Sequence, residues 1–176
     1  AGHQVLINCV ISRKNLAELA DLVGLAERLG ALISFEPLHK TAGIEGDFWD
    51  DMGIRDADLP EYRRSLDRLI EMKRGKSPII NSVTYLKMVR DQKPEFRCHA
   101  PQIVLPVASD GTIQICRVKK EDLGSVSQGI ARVWESSMEL RNKAVRECEG
   151  CLFFGYVENS LLYDLRPEVI RRYRWM

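Results

Sequence analysis

The chain has 176 residues, 45% hydrophobic and 29% charged, with 26 Lys and Arg against 25 Asp and Glu and a formal net charge of +1. That balance excludes a largely disordered, collagenous or coiled-coil chain, gives no field for binding nucleic acid by bulk charge, and suits one domain of common size or two small ones. No stretch approaches the about 20 consecutive apolar residues of a membrane helix, and Ala1-Gly2-His3-Gln4 lacks the features of a secretory leader, so no membrane partner and a cytoplasmic location are expected.

Val5 to Ile11 is a short Val/Ile-rich run that predicts a buried strand. Asn15 stands where an N-cap belongs, Leu16, Leu19, Ala20, Val23, Ala26 and Leu29 follow at helical spacing, and Gly30 is placed to end the helix. Ala31 to Phe35 reads as a second strand. Strand, helix and strand in this order imply a parallel pair joined by a right-handed crossover. One such unit leaves open sheet edges, which predicts further sheet from a longer polypeptide or a partner chain.

His39 to Leu59, with Gly43, Gly46, Gly53 and several acids, lacks periodicity and reads as a long loop. Pro60 opens a helix to about Lys73 with Tyr62, Leu66, Leu69 and Ile70 on one face, and Ser82 caps another that stops before Pro94. Ile103 to Val107 and Thr112 to Cys116 are β-like runs around an Asp110-Gly111 pair, which predicts a hairpin. An amphipathic stretch from Ile130 to Val145 leads to Cys148, and a last helix is expected near Pro167, after the apolar segment Leu161 to Leu165. Arg171, Arg172 and Arg174 read as a solvated helical face.

Five cysteines in a chain without an export signal point to metal binding rather than a disulfide framework. Cys9, inside an apolar strand, reads as a small buried hydrophobe. Cys148-Glu149-Gly150-Cys151 is a C-x2-C knuckle in which the glycine eases the turn and frees backbone N–H groups for sulfur. Because a helix precedes it, a thioredoxin-type redox pair fits poorly. Cys98 and Cys116 bracket the predicted hairpin, so folding it brings four thiols toward one place. Zinc and an iron–sulfur cluster are both compatible with four thiols, although the wide Cys98–Cys116 spacing suits the larger cubane.

Cys98, twelve residues, Gly111, four residues, Cys116, then Cys148-x2-Cys151, resembles the cluster-binding pattern of the twitch domain, the shortened SPASM domain that follows the barrel of many radical S-adenosylmethionine enzymes. Ser109 to Ile113, Leu123 to Val126 and Ile130 to Ser136 are similar to the segments between hairpin and knuckle in that family, so the likeness covers residues 94 to 155. Upstream, Val5 to Asn15, the helix and the strand to Phe35 look like the fifth and sixth strands of the family's partial barrel. The implied fold class is α/β followed by α+β: the last βαβ part of a partial (β/α)6 TIM-like barrel over residues 1–75, and a twitch/SPASM-like hairpin and helix domain with a C-terminal helix over 76–176.

The resemblance implies that Cys98, Cys116, Cys148 and Cys151 hold an auxiliary [4Fe–4S] cluster for electron transfer or oxidation of a substrate radical, with zinc as a possible substitute. It also implies that Ser12, Arg13 and Asn15, at the end of the first strand, lie near S-adenosylmethionine; their ordinary reading is a helix cap with a solvated arginine. Glu36 and His39 at the next strand end suit acid/base work or an ordinary loop role. His99, beside Cys98, is an alternative ligand. The family's C-x3-C-x2-C loop, which holds the cluster that cleaves S-adenosylmethionine, is absent from these 176 residues. The expectation is therefore a C-terminal piece of an oxidoreductase or modifying enzyme, inactive alone, whose missing barrel half or partner chain completes a site for a peptide or small-molecule substrate.

Overall fold

The structure, a computed structural model, describes residues 3–40 and 46–173, with the side chains of 171–173 left aside. The β-branched run Leu6–Ile11 forms β1 and pairs in parallel with β2, Leu32–Pro37, in the register Leu6↔Leu32 to Ile11↔Pro37. The crossover is α1, Leu19–Leu29, which buries Leu19, Val23 and Ala26 and closes on Gly30 in the left-handed conformation at φ +64°. Asn15 does not cap α1. It precedes a 3-10 turn, Leu16–Glu18, and its side chain accepts from the Ser12 N–H at 2.9 Å and donates to the Val10 carbonyl at 2.9 Å.

A third strand-like segment extends the sheet beyond the predicted pair. Ile33 bridges to Ile79 in parallel, its N–H donating to Pro78 and its carbonyl accepting from Ile80. Asn81 then continues the ladder with its side chain, accepting from the Phe35 N–H at 2.8 Å and donating to the Phe35 carbonyl at 2.9 Å. Between β2 and this segment lie α2, Asp47–Met52, a 3-10 turn, Asp56–Asp58, and α3, Leu59–Arg74. The predicted loop thus contains a short helix; Gly43 falls outside the described residues.

Helix α4, Val83–Asp91, begins at Ser82, whose hydroxyl accepts from the Tyr85 N–H at 2.9 Å. A short α5, Ala100–Ile103, occupies the start of what the sequence predicts as a hairpin strand. The Asp-Gly turn forms, with Gly111 at φ +86° and a Val107↔Ile113 bridge, yet β3, Thr112–Gln114, finds its longer antiparallel partner in β4, Asp122–Ser125. The amphipathic stretch forms α6, Ile130–Ser136, and α7, Met138–Glu147. After the knuckle come α8, Phe154–Tyr163, and α9, Pro167–Tyr173. The side chains of the arginine group at 171, 172 and 174 lie outside the described residues.

Two apolar cores hold these elements. The larger joins Cys9 and Ile11 of β1, Ile33 and Phe35 of β2 and the inner faces of α1, α3 and α4 to Val157, Leu161 and Val169 of the last two helices. Its fully buried aliphatic side chains each contribute about 1.5–3 kcal/mol by leaving water. The smaller is built from Cys98, Ala100, Ile115, Cys116, Ala144 and Tyr156. The architecture is mixed α and β with small sheets, without a closed barrel among the described residues. No helix of the described residues is long and apolar enough to cross a membrane.

Candidate metal centre

Four separate pieces of local structure deliver four thiols to the smaller core. Cys98 precedes α5, Cys116 leaves β3 at the head of a tight turn, Cys148 ends α7 in extended conformation, and Cys151 closes the knuckle before α8. All four line one cavity of about 300 Å³, together with Ile115, Lys119, Ala144 and Tyr156. They are free thiols, with Cys98 and Cys116 buried and the knuckle pair half-buried.

Each sulfur receives a backbone hydrogen bond from two or three residues downstream. The Lys119 N–H donates to Cys116 at 3.1 Å and the Gly150 N–H to Cys148 at 3.4 Å, while the backbone of Ala100 serves Cys98 and that of Phe153 serves Cys151. Such bonds stabilise sulfur in its negative form. Gly150 reaches its position at φ +86°, where a side chain is strained. The expected turn chemistry of the knuckle is therefore realised atom by atom.

Burial opposes ionisation of two of these thiols, Cys98 and Cys151. Burial pushes Cys98 up to about 12, and the charges of Cys148 and Cys151 and a hydrogen bond with Cys148 push the same way against the Ala100 backbone. Cys151 is raised by burial, with Cys148 and Cys116 adding to it. A positive charge beside Cys98 and Cys151 would favour their thiolate forms. Among the described residues, no group of three or more His, Cys, Asp or Glu side chains is placed to hold a metal ion. The four thiols share the lining of one cavity.

His99 turns to other partners. Its Nε2 lies 3.1 Å from Asp164, its Nδ1 3.2 Å from Gln102, and its ring stacks on Tyr163 at 4.4 Å. These contacts make it a clamp between the Cys98 segment and α8. Cys9 stands apart from the four thiols, 8% exposed and pushed up to about 11 by burial.

At the C-terminal end of β1, Arg13 pairs with Asp58 at 3.6 Å and Lys14 with Asp51 at 2.5 Å, while Ser12 and Asn15 bond each other across the turn. Glu36 and His39, at the end of β2, meet the segment after the knuckle. Glu36 accepts from Asn8 at 3.3 Å and from the Phe154 N–H at 3.4 Å, and His39 stacks on Phe153 at 5.3 Å. Burial lowers the His39 pKa, opposed by the Glu36 charge. Sequence reasoning missed this junction, because nothing local in Leu152-Phe153-Phe154 announces contact with a strand end more than a hundred residues earlier. A second cavity of about 370 Å³ opens there, sharing Cys151 and Val118 with the first. Compared with protein-family models, with curated proteins and with solved structures, the chain matches none, so the reading of this centre rests on its own residues.

Proposed function

We propose that Cys98, Cys116, Cys148 and Cys151 hold an auxiliary [4Fe–4S] cluster within the C-terminal part of a radical S-adenosylmethionine oxidoreductase or modifying enzyme. The observation that carries this reading is the convergence of the four thiols on one cavity, each with its own backbone donor.

Bound there, the cluster would supply one-electron transfer to or from a substrate radical, and four cysteine ligands would leave no iron open for substrate. The chain's own part is to bind and to shield. Ile115, Ala144 and Tyr156 pack around the sulfurs and limit water, and the backbone amides favour their negative form. Zinc would substitute where iron is scarce, because thiolates bind both metals.

Radical initiation belongs, in this reading, to a C-x3-C-x2-C loop on a missing barrel half or partner chain. The edge of β1 supports such a neighbour: Val5, Leu6 and Val10 are 57%, 49% and 41% exposed there, and among the described residues β1 pairs only with β2. Arg13, with Ser12 and Asn15 shaping its turn, is assigned to the S-adenosylmethionine side of the completed enzyme, at the C-terminal strand ends where α/β proteins bind ligands.

The test is metal and acid-labile sulfide analysis of chain purified and reconstituted without oxygen, beside Cys98→Ser, Cys116→Ser, Cys148→Ser and Cys151→Ser. About four irons and four sulfides per chain, diminished in every variant, is the expected result. One tight zinc that iron and sulfide fail to displace would make the centre a structural zinc module instead.

A further inference from the structure

The cavity at the end of β2 has its own chemistry. Its walls are mostly apolar, with Trp49 and Pro94 among them, and Cys151 is its boundary with the thiol centre. The polar groups facing it are few: the His39 imidazole, the Lys40 ammonium and the Gln92 amide, besides Tyr62, whose hydroxyl is already committed to the Val89 carbonyl at 2.7 Å. Lys40 is the one cationic residue of that lining and sits over the Trp49 ring at 5.7 Å, and no carboxylate belongs to the lining among the described residues. Its volume of about 370 Å³ lies at the low end of ligand pockets, which run to roughly 1,000 Å³. That size admits a metabolite and leaves little room for a folded or extended peptide.

We propose that this cavity binds a small aromatic or similarly flat apolar molecule carrying one carboxylate, its ring against Trp49 and its acid group toward Lys40, beside the Cys151 side of the metal centre. The proposal rests on the cluster reading for the purpose of the site, but not for its existence. A cation over an aromatic face attracts an anion while the ring receives an apolar body, and the neighbouring neutral imidazole and amide offer hydrogen bonds that fix orientation. The substrate class is thereby narrowed from a peptide or small molecule to a small organic acid.

Indole-3-acetate and 3-phenylpropionate, each paired with its uncharged amide, are the probes. Binding is followed by amide chemical shifts of the full 176-residue chain, both metal-free and reconstituted. The acids are expected to shift His39, Lys40, Trp49 and Leu152 and to bind about fivefold tighter than the amides, a preference that Lys40→Met abolishes. Trp49→Ala should weaken acid and amide alike. Equal binding of acid and amide in the unaltered chain, or shifts confined to residues elsewhere, would overturn the proposal. Iron and sulfide content decides the cluster reading separately, since the acid preference is read in the metal-free chain as well.

Discussion

Gly150 joins two requirements in one residue. At φ +86° it donates to the Cys148 sulfur, and a Cβ there would meet the Pro94 Cβ at 3.1 Å and the Phe96 ring at 3.3 Å. Gly150→Ala is expected to cost about 1–2 kcal/mol from the left-handed backbone alone, more where Pro94 cannot move. Denaturant midpoints check the first part, and faster loss of metal from the variant checks its link to the knuckle. The need for positive φ was legible in the sequence, because a tight C-x2-C turn asks for it; the crowding by Pro94 was not, because it depends on how residues 94–96 return across the knuckle. Cys9 was legible as a buried hydrophobe for the simpler reason that its strand is an apolar run apart from Asn8. Its thiol titrates at about 11 in the fold against an ordinary 9.0, so the folded chain holds that proton more tightly than the unfolded one. The stability this contributes is complete below pH about 9 and is lost as pH rises toward about 11. Cys9→Ala should reduce the alkaline loss, read as the slope of unfolding free energy against pH over that window.

At the scale of elements, what could be read was what carries its signal locally. Helices α1, α3 and α4 each show a one-sided apolar stripe with a terminal Gly, Pro or Ser; α3 and α4 form where the pattern places them, and α1 follows a 3-10 turn over the first predicted residues. Helix α4 shows how caps join distant parts: besides Ser82, its first N–H groups meet carboxylates from the last two helices, Glu158 accepting from Ser82 at 2.6 Å and Glu168 from Val83 and from Thr84 at 3.3 Å. Ser82→Ala should cost about 1 kcal/mol, the usual loss of a helix cap, measured by equilibrium unfolding. The Pro78–Ile80 segment escaped the sequence reading because three residues carry no periodicity and their pairing is finished by the Asn81 side chain. Likewise, the Asp-Gly signal fixed the turn at Gly111 and a short ladder across it, with Val107 opposite Ile113 and N–H bonds from Ala108 to Thr112 and from Gln114 to Pro106, but not β4, which pairs with the other edge of β3. Helix α8 was missed for a different reason: it is apolar around much of its circumference, burying Tyr156, Val157 and Leu161 among others, so no polar face marks it as helical.

Over the whole molecule, the two cores are unequal. The larger gathers residues from Cys9 to Val169, whereas the smaller contains two of the thiols and only a few apolar side chains. A core so small gains little from burial, so the proposed cluster, when bound, should provide much of its stability. Cys148→Ser or Cys151→Ser is therefore expected to lose metal and to raise hydrogen exchange across residues 94–155 far more than across 1–75. Equal loss of protection in the two regions would show that the thiol centre does not hold up its own surroundings. The four cysteines were singled out by spacing, and the structure brings them to one cavity; what spacing did not contain is the contact from β2 to the segment after the knuckle, made by Glu36 with Phe154 and His39 with Phe153. Contacts of that range follow from the packed fold and leave no trace in either segment alone.

X-ray absorption at the iron edge of the chain reconstituted without oxygen tests the four-thiol cluster most directly. Iron surrounded only by sulfur, with further iron in the next shell, is expected for the unaltered chain, and an oxygen neighbour or loss of the iron shell for Cys148→Ser. Iron bound by oxygen or nitrogen in the unaltered chain, or isolated iron with no iron neighbour, would contradict a four-thiol cluster in this cavity.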